Sequence, residues 1–371
     1  MVPNDWDVKE LRDLVTFSNG KGHEKHISET GKYVVVNSKY ISSDGSVFKR
    51  SDESFCPASA DDILMVMSDV PNGKAIAKCF LVDVDNKYTV NQRIARFRSK
   101  GSVPLFLFYS INRNNYYLEF DDGLKQTNLR KDDVLDCPIK TPPLSEQRKI
   151  AKILSTWDKA ISTTEKLIET SKQQKKALMQ QLLTGKKRLV NPETGKAFEG
   201  EWEEVRLGTI LKIGGGKDYK HLDAGNIPVY GTGGYMLSVS DYLYDDDSVC
   251  IGRKGTIDKP MFLTGKFWTV DTLFFTHSFN GTIPRFIYQY FLTINWKKYN
   301  EASGVPSLSK AIIERISVNI PGLDEQQKIA SVLTAADKEI EVLEAKLTHF
   351  KQEKKALMQQ LLTGKRRVHV E

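Results

Sequence analysis

The chain carries the same long segment twice. Residues 142–188 return as residues 321–367 at a constant offset of 179, which sets Glu146 opposite Glu325, Asp158 opposite Asp337 and Gly185 opposite Gly364. More than half of the paired positions are identical, and Lys175–Lys186 matches Lys354–Lys365 without exception. A gapless repeat of this length records a duplication, so any fold must accommodate two copies of one element.

Each copy opens with Pro and then Ser145 or Asp324, N-cap residue types followed by Glu146 or Glu325 in the first turn. Each ends at Leu-Leu-Thr-Gly, where Gly185 or Gly364 is expected to take the left-handed conformation that closes a helix. About 39 residues of helix would extend about 58 Å. Ile150, Trp157, Thr164, Ser171 and Leu178 fall at heptad d, and Leu154, Ile161, Ile168, Lys175 and Leu182 at a. The second copy repeats the seam from Ile329 and Leu333 to Leu357 and Leu361. Because a whole domain lies between the copies, the helices are expected to return past each other as an antiparallel pair with a domain at each end. The alternative is that each helix packs only on its own domain or on other subunits. Lys175 and Lys354 occupy the same a position, where a charge weakens a dry seam; we read both as snorkelling to solvent rather than as register-setting partners of an acid.

The intervening halves repeat only at their edges. Trp6, Leu11, Gly20 and Lys21 match Trp202, Leu207, Gly216 and Lys217 at an offset of 196, whereas Leu129 matches Leu308 at 179. The expected organisation is a recognition domain over 1–141, a helix over 142–188, a linker over 189–201, a second recognition domain over 202–320 and a second helix over 321–371. The fold class is mixed α/β (α+β) with a pseudo-two-fold internal repeat. Strands are predicted at Lys32–Val36, Ile63–Val66, Tyr88–Val90 and Ser248–Ile251, and helices near Pro104–Arg113 and Pro284–Lys298.

Composition excludes several classes. No apolar run is long enough to span a bilayer, and MVPNDWDVKE resembles no export signal, so a cytoplasmic protein with no membrane partner is expected. Cys56, Cys79, Cys137 and Cys250 are far apart without a CxxC pair, which suits reduced packing residues. Of the net charge of +7, residues 146–188 hold +7 and residues 325–367 hold +3, leaving the rest slightly acidic. Any DNA surface on the intervening halves must therefore come from local clusters.

The clearest such cluster is Gly252-Arg253-Lys254-Gly255-Thr256, a glycine-flanked basic turn that admits a phosphate or a guanine edge; a solvated hairpin turn is the alternative. Ser303–Lys310 and Gln126–Lys131 correspond across the repeat and offer hydroxyl and amide donors, unless Ser307 and Asn128 serve as helix caps. The expected DNA-binding residues are Lys21, Lys25, Asn91, Arg93, Lys125, Asn128, Arg130, Lys217, Lys220, Arg253, Lys254, Thr256, Ser307 and Lys310. Polar positions outside the seam, Lys172, Gln173, Gln180, Gln181, Lys351, Gln352, Gln359 and Gln360, are candidate contacts for partner subunits. Gly214-Gly215-Gly216-Lys217 and Gly231-Thr232-Gly233-Gly234 satisfy neither the dinucleotide fingerprint nor a Walker loop. His23-x-x-His26 lacks a third ligand, and Asp83, Asp85 and Lys87 read better as turn residues than as nuclease groups. No catalytic and no metal-binding residue is expected.

Taken together, Pro-Pro-Leu-Ser-Glu-Gln at 142–147, Pro-Gly-Leu-Asp-Glu-Gln at 321–326 and the twin ALMQQLLTGK endings resemble the specificity subunits of type I restriction-modification systems over essentially the whole chain. That resemblance implies a non-catalytic reader of bipartite double-stranded DNA, one half-site per domain. It implies two methyltransferase subunits docked on the helices, and restriction subunits that join for cleavage. S-adenosylmethionine, ATP and Mg would belong to those partners, with no cofactor bound here. A coiled-coil interaction protein without DNA readout and a self-sufficient nuclease are the alternatives; no Asn/Asp-Pro-Pro-Tyr motif for holding a flipped adenine is present.

Overall fold

The computed structural model describes residues 3–71 and 73–369. It divides into two units, the first of Met1–Thr163 with Leu347–Glu371 and the second of Thr164–Lys346. Each unit thus holds one recognition half and a stretch of both long helices, so the structural division cuts across the linear one.

The two long helices span Leu144–Leu182 and Leu323–Leu361, 39 residues each. Both begin one residue before the predicted caps: Gln147 and Gln326 donate their backbone N–H to Pro143 and Gly322, so Ser145 and Asp324 lie inside the first turn. Their side chains therefore do not cap. The Gln147 and Gln326 amides instead fold back onto the Pro142 and Pro321 carbonyls, at 2.9 and 2.8 Å. At the other end Gly185 and Gly364 take φ of +70° and +73°, the left-handed closure expected of them.

In the first unit the helix segments run antiparallel, with Trp157 against Phe350 at 5.6 Å between ring centroids. In the second, Lys172 reaches Glu344 and Lys175 reaches Asp337, again antiparallel. The seam residues are buried or half-buried in both. Lys175 and Lys354 do not snorkel. Lys175 Nζ lies 2.5 Å from Asp337 Oδ1 and Lys354 Nζ 2.5 Å from Asp158 Oδ1, with the lysine side chains only 12% and 19% exposed. An acid from the other helix lies within reach of each ammonium, and a paired charge in that half-buried place is better than an unpaired one.

The recognition halves share one topology although their interiors share little sequence. In the first unit Val15–Asn19, Ile94–Ser99, Ile63–Val66 and Cys79–Leu81 form a four-stranded antiparallel sheet in that order; in the second, Lys212–Gly215, Leu273–His277, Ser248–Gly252 and Met261–Leu263 do the same. A second sheet repeats as well, with Tyr33–Val36 parallel to Tyr88–Val90 and Ala224–Gly231 parallel to Lys266–Thr269. The ends of each half pair with each other: Asp7–Glu10 with Pro138–Thr141, and Glu203–Arg206 with Ser317–Ile320. The predicted strands stand with one-residue adjustments. The helix predicted from Pro284 stops at Phe291, because the chain doubles back to a 3-10 turn at Trp296–Tyr299, where the Trp296 indole donates to the Phe291 carbonyl at 2.9 Å.

Each unit has its own core. Phe97, Phe106 and Tyr117 pack with Ile150, Leu154 and Leu361 in the first; Phe286, Phe291 and Trp296 pack with Leu182, Ile329 and Leu333 in the second. Such side chains contribute roughly 1.5–3 kcal/mol each when fully buried, so the helix segments and recognition halves stabilise one another. The four cysteines are free and buried, and burial pushes the Cys137 thiol to about 11 and the Cys250 thiol to about 12.

An Arg–Glu pair ties each core at the helix ends. Arg367 bonds both oxygens of Glu146, and Arg188 both oxygens of Glu325; each glutamate is 2% exposed. Trp6 Nε1 also donates to Glu146 at 3.0 Å.

Candidate nucleic-acid interface

In the second unit the basic turn is not a free hairpin. Leu308 N–H donates to the Arg253 carbonyl at 2.8 Å, Gly255 N–H donates to the Pro306 carbonyl at 2.9 Å, and Lys254 forms an isolated β-bridge with Ser307. The two segments singled out separately in the sequence therefore make one surface. They line a groove of about 890 Å³ together with Gly215, Phe274, Val305, Ser309 and Lys310. Arg253, Lys254 and Lys310 are exposed there, and the Lys310 ammonium lies 6.0 Å from the centre of the buried Phe274 ring. Arg253 Nη1 donates to the Asp271 carbonyl at 3.3 Å. Burial first, then Lys310 and Lys212, hold the His277 imidazole below its ordinary pKa. The groove thus concentrates positive charge on a rigid strand end, the arrangement that phosphate and base-edge acceptors require.

The first unit builds the matching place from different residues. Leu129 N–H donates to the Met67 carbonyl at 2.8 Å, as Leu308 does to Arg253, and Asn128 pairs with Ser68 as Ser307 does with Lys254. Met67 thus stands where Arg253 stands, and Ser68 where Lys254 stands. Ser68, Gln126 and Asn128 form a hydrogen-bonded cluster in place of the cations. Capping of the next helices falls elsewhere: Ser309 accepts from the Ile312 N–H and Asp133 from the Arg130 N–H, which overturns a capping role for Ser307 and Asn128.

The remaining candidates are spread over both recognition halves. Lys21 and Lys217 follow Gly20 and Gly216, whose close approach to the carbonyls of Asn91 and Val270 leaves no room for a Cβ. Asn91 and Arg93 flank the turn whose Arg93 carbonyl accepts from Met67. Lys25 lies on the 3-10 turn Glu24–His26, Lys125 in the turn shaped by Asp122, Lys220 in the loop after Lys217, and half-buried Thr256 follows Gly255. Ser68 carried no sequence signal. Neither did Tyr235 and Met236, 62% and 49% exposed on the hairpin whose Gly231–Gly234 tip brings Thr232 beside Gly255. His23 is buried against Thr89 at 2.8 Å, and His26 faces Glu53. Among the described residues no group of three metal-ligating side chains occurs, and no helix is long and apolar enough to cross a membrane.

On the long helices, Lys172, Gln173, Gln180, Gln181, Lys351, Gln352, Gln359 and Gln360 are all exposed. Lys172 is engaged with Glu344 and Gln173 with Glu169, at 2.6 and 2.8 Å.

The family model described as "Type I restriction modification DNA specificity domain" matches residues 3–172 and 199–351. The type I restriction enzyme MjaVIII specificity subunit of Methanocaldococcus jannaschii is 25% identical over 99% of this chain and 94% of its own. The putative MjaX specificity subunit of the same organism is 26% identical over 99% and 95%. The solved structure of a type I restriction-modification S subunit from M. genitalium shares the fold, with a TM-score of 0.69 and 19% identity over 97% of both chains. With the family model covering most of its length in two copies, the chain belongs to the specificity subunits of type I restriction-modification systems, the non-catalytic members of those enzymes.

Proposed function

We propose that this chain reads a bipartite duplex target, one half-site per unit, and carries the catalytic subunits on its long helices. The observation that carries the reading is the recurrence of a polar cluster at the same strand end of both units: Arg253, Lys254, Ser307 and Lys310 in one, and exposed Gln126 and Asn128 on the buried Ser68 in the other. A duplicated scaffold that holds one position and changes its side chains suits two readers of different sequence. The exposed glutamines and lysines of the helices are the surface for two methyltransferase subunits, with restriction subunits joining for cleavage. S-adenosylmethionine, ATP and Mg belong to those partners; this chain binds DNA and no cofactor.

The test is to map methylated adenines by single-molecule sequencing in a host expressing the chain with its methyltransferase subunit. Replacing residues 202–320 by the second domain of another family member should change one half-site and leave the other intact. Loss of both half-sites from a folded protein would count against one reader per unit.

A further inference from the structure

We propose that Gln126 and Asn128 read an adenine at the strand end of the first unit, and that Arg253 reads a guanine at the matching place in the second. The inference rests on the reading that these strand ends face DNA and names what each recognises.

Gln126 Nε2 donates to Ser68 Oγ at 2.8 Å and to Asn128 Oδ1 at 3.1 Å, and Ser68 Oγ donates to the same Oδ1 at 2.6 Å. The two acceptors lie within one N–H direction of Nε2, so one proton of the Gln126 amide is shared between them, and the Asn128 acceptor is occupied within the cluster. Gln126 Oε1 remains as an acceptor, with the second Gln126 Nε2–H and Asn128 Nδ2 as donors, on exposed side chains hydrogen-bonded to each other. In the major groove adenine presents an N6 donor beside an N7 acceptor, the complement of Gln126 Oε1 beside a donor, whereas guanine presents two acceptors and leaves Oε1 without a donor. No cation competes at Met67, which takes the place of Arg253 and is buried.

The second unit inverts this pattern. Val305 stands where Gln126 stands, so the amide acceptor is gone, and Arg253 and Lys254 supply donors only. A guanidinium matches the O6 and N7 acceptors of guanine bidentately and finds no acceptor partner at the adenine N6 amino group. The Asp271 carbonyl engages Nη1, leaving the other nitrogens of the fork for a base.

The experiment uses the full chain with its methyltransferase subunit and duplexes carrying the target found by methylation mapping. One purine at a time is replaced by its 7-deaza analogue, which lacks N7. Binding is measured for the wild type, Asn128→Ala, Asn128→Asp and Arg253→Ala, with melting curves confirming folding. At one adenine, 7-deaza substitution should weaken wild-type binding roughly tenfold and weaken Asn128→Ala and Asn128→Asp no further. At one guanine of the other half-site the same should hold for Arg253→Ala. Coupling of Asn128 to a guanine, or equal loss at every position as a phosphate contact would give, overturns the base assignment while leaving the DNA-facing surface in place. Unchanged affinity in all folded variants overturns the surface and the assignment together.

Discussion

Lys354 Nζ lies 2.5 Å from Asp158 Oδ1, and the other oxygen of that carboxylate accepts the Tyr109 hydroxyl at 2.6 Å. The second unit repeats the junction with Lys175 on Asp337 Oδ1 at 2.5 Å and Gln289 Nε2 on Asp337 Oδ2 at 2.9 Å. One acid thus joins the two helix segments and the recognition half of each unit. A register shift of one residue would separate each lysine from its acid, so the pair sets alignment as well as adding stability. Asp158→Ala should destabilise the first unit by about 1–3 kcal/mol by leaving a half-buried ammonium unpaired, and adding Lys354→Met should recover part of that loss. Urea denaturation followed by Trp157 fluorescence measures both; no recovery in the double variant would show that the ammonium is not the cause.

Removing Arg367 should cost more. Glu146 is 2% exposed, so Arg367→Ala leaves a buried carboxylate with the Trp6 indole as its remaining side-chain donor and lowers stability clearly. Hydrogen exchange should quicken around Glu146 and Trp6 and stay unchanged around Glu325, whose partner Arg188 remains. Equal loss of protection in both units would contradict this.

Arg253→Ala should weaken DNA binding by about 1–3 kcal/mol if the arginine reads a base and by less if it meets a phosphate. Affinity measured over a salt series separates these, because loss of a phosphate contact reduces the salt slope. A variant with wild-type affinity at every salt concentration would remove the turn from the interface.

The first unit should weaken in acid through His23. Burial, the largest cause, holds its pKa below the ordinary value near 6.5, so the unfolded chain takes up the proton first. The stability this histidine confers is complete above about pH 6.5 and is lost as pH falls through the depressed value. His23→Gln should flatten that part of the stability profile measured by thermal melts from pH 7 to pH 4. A wild-type profile with no slope below pH 6.5 would exclude the effect.

Much of this protein is legible without coordinates. The offset of 179, the heptad seam and the closing glycines specify two long helices through local periodicity, and local periodicity is what a sequence states directly. The basic turn at Arg253 was legible as a candidate, because glycines around cations mark a place a polyanion can approach. Ser68 was not. It sits in a two-residue strand, and its role exists only because Asn128, sixty residues away, is brought onto it.

By itself, then, the sequence determined the duplication, the two long helices with their closing glycines, and the family. Tertiary structure alone decided that the diverged interiors share one sheet order, that Met67 occupies the place of Arg253, and that Lys175 and Lys354 meet acids rather than solvent. The physical reason is common to all three. Strand pairing and ion pairing join residues distant along the chain, and backbone hydrogen bonds hold a sheet order through almost any change of side chain.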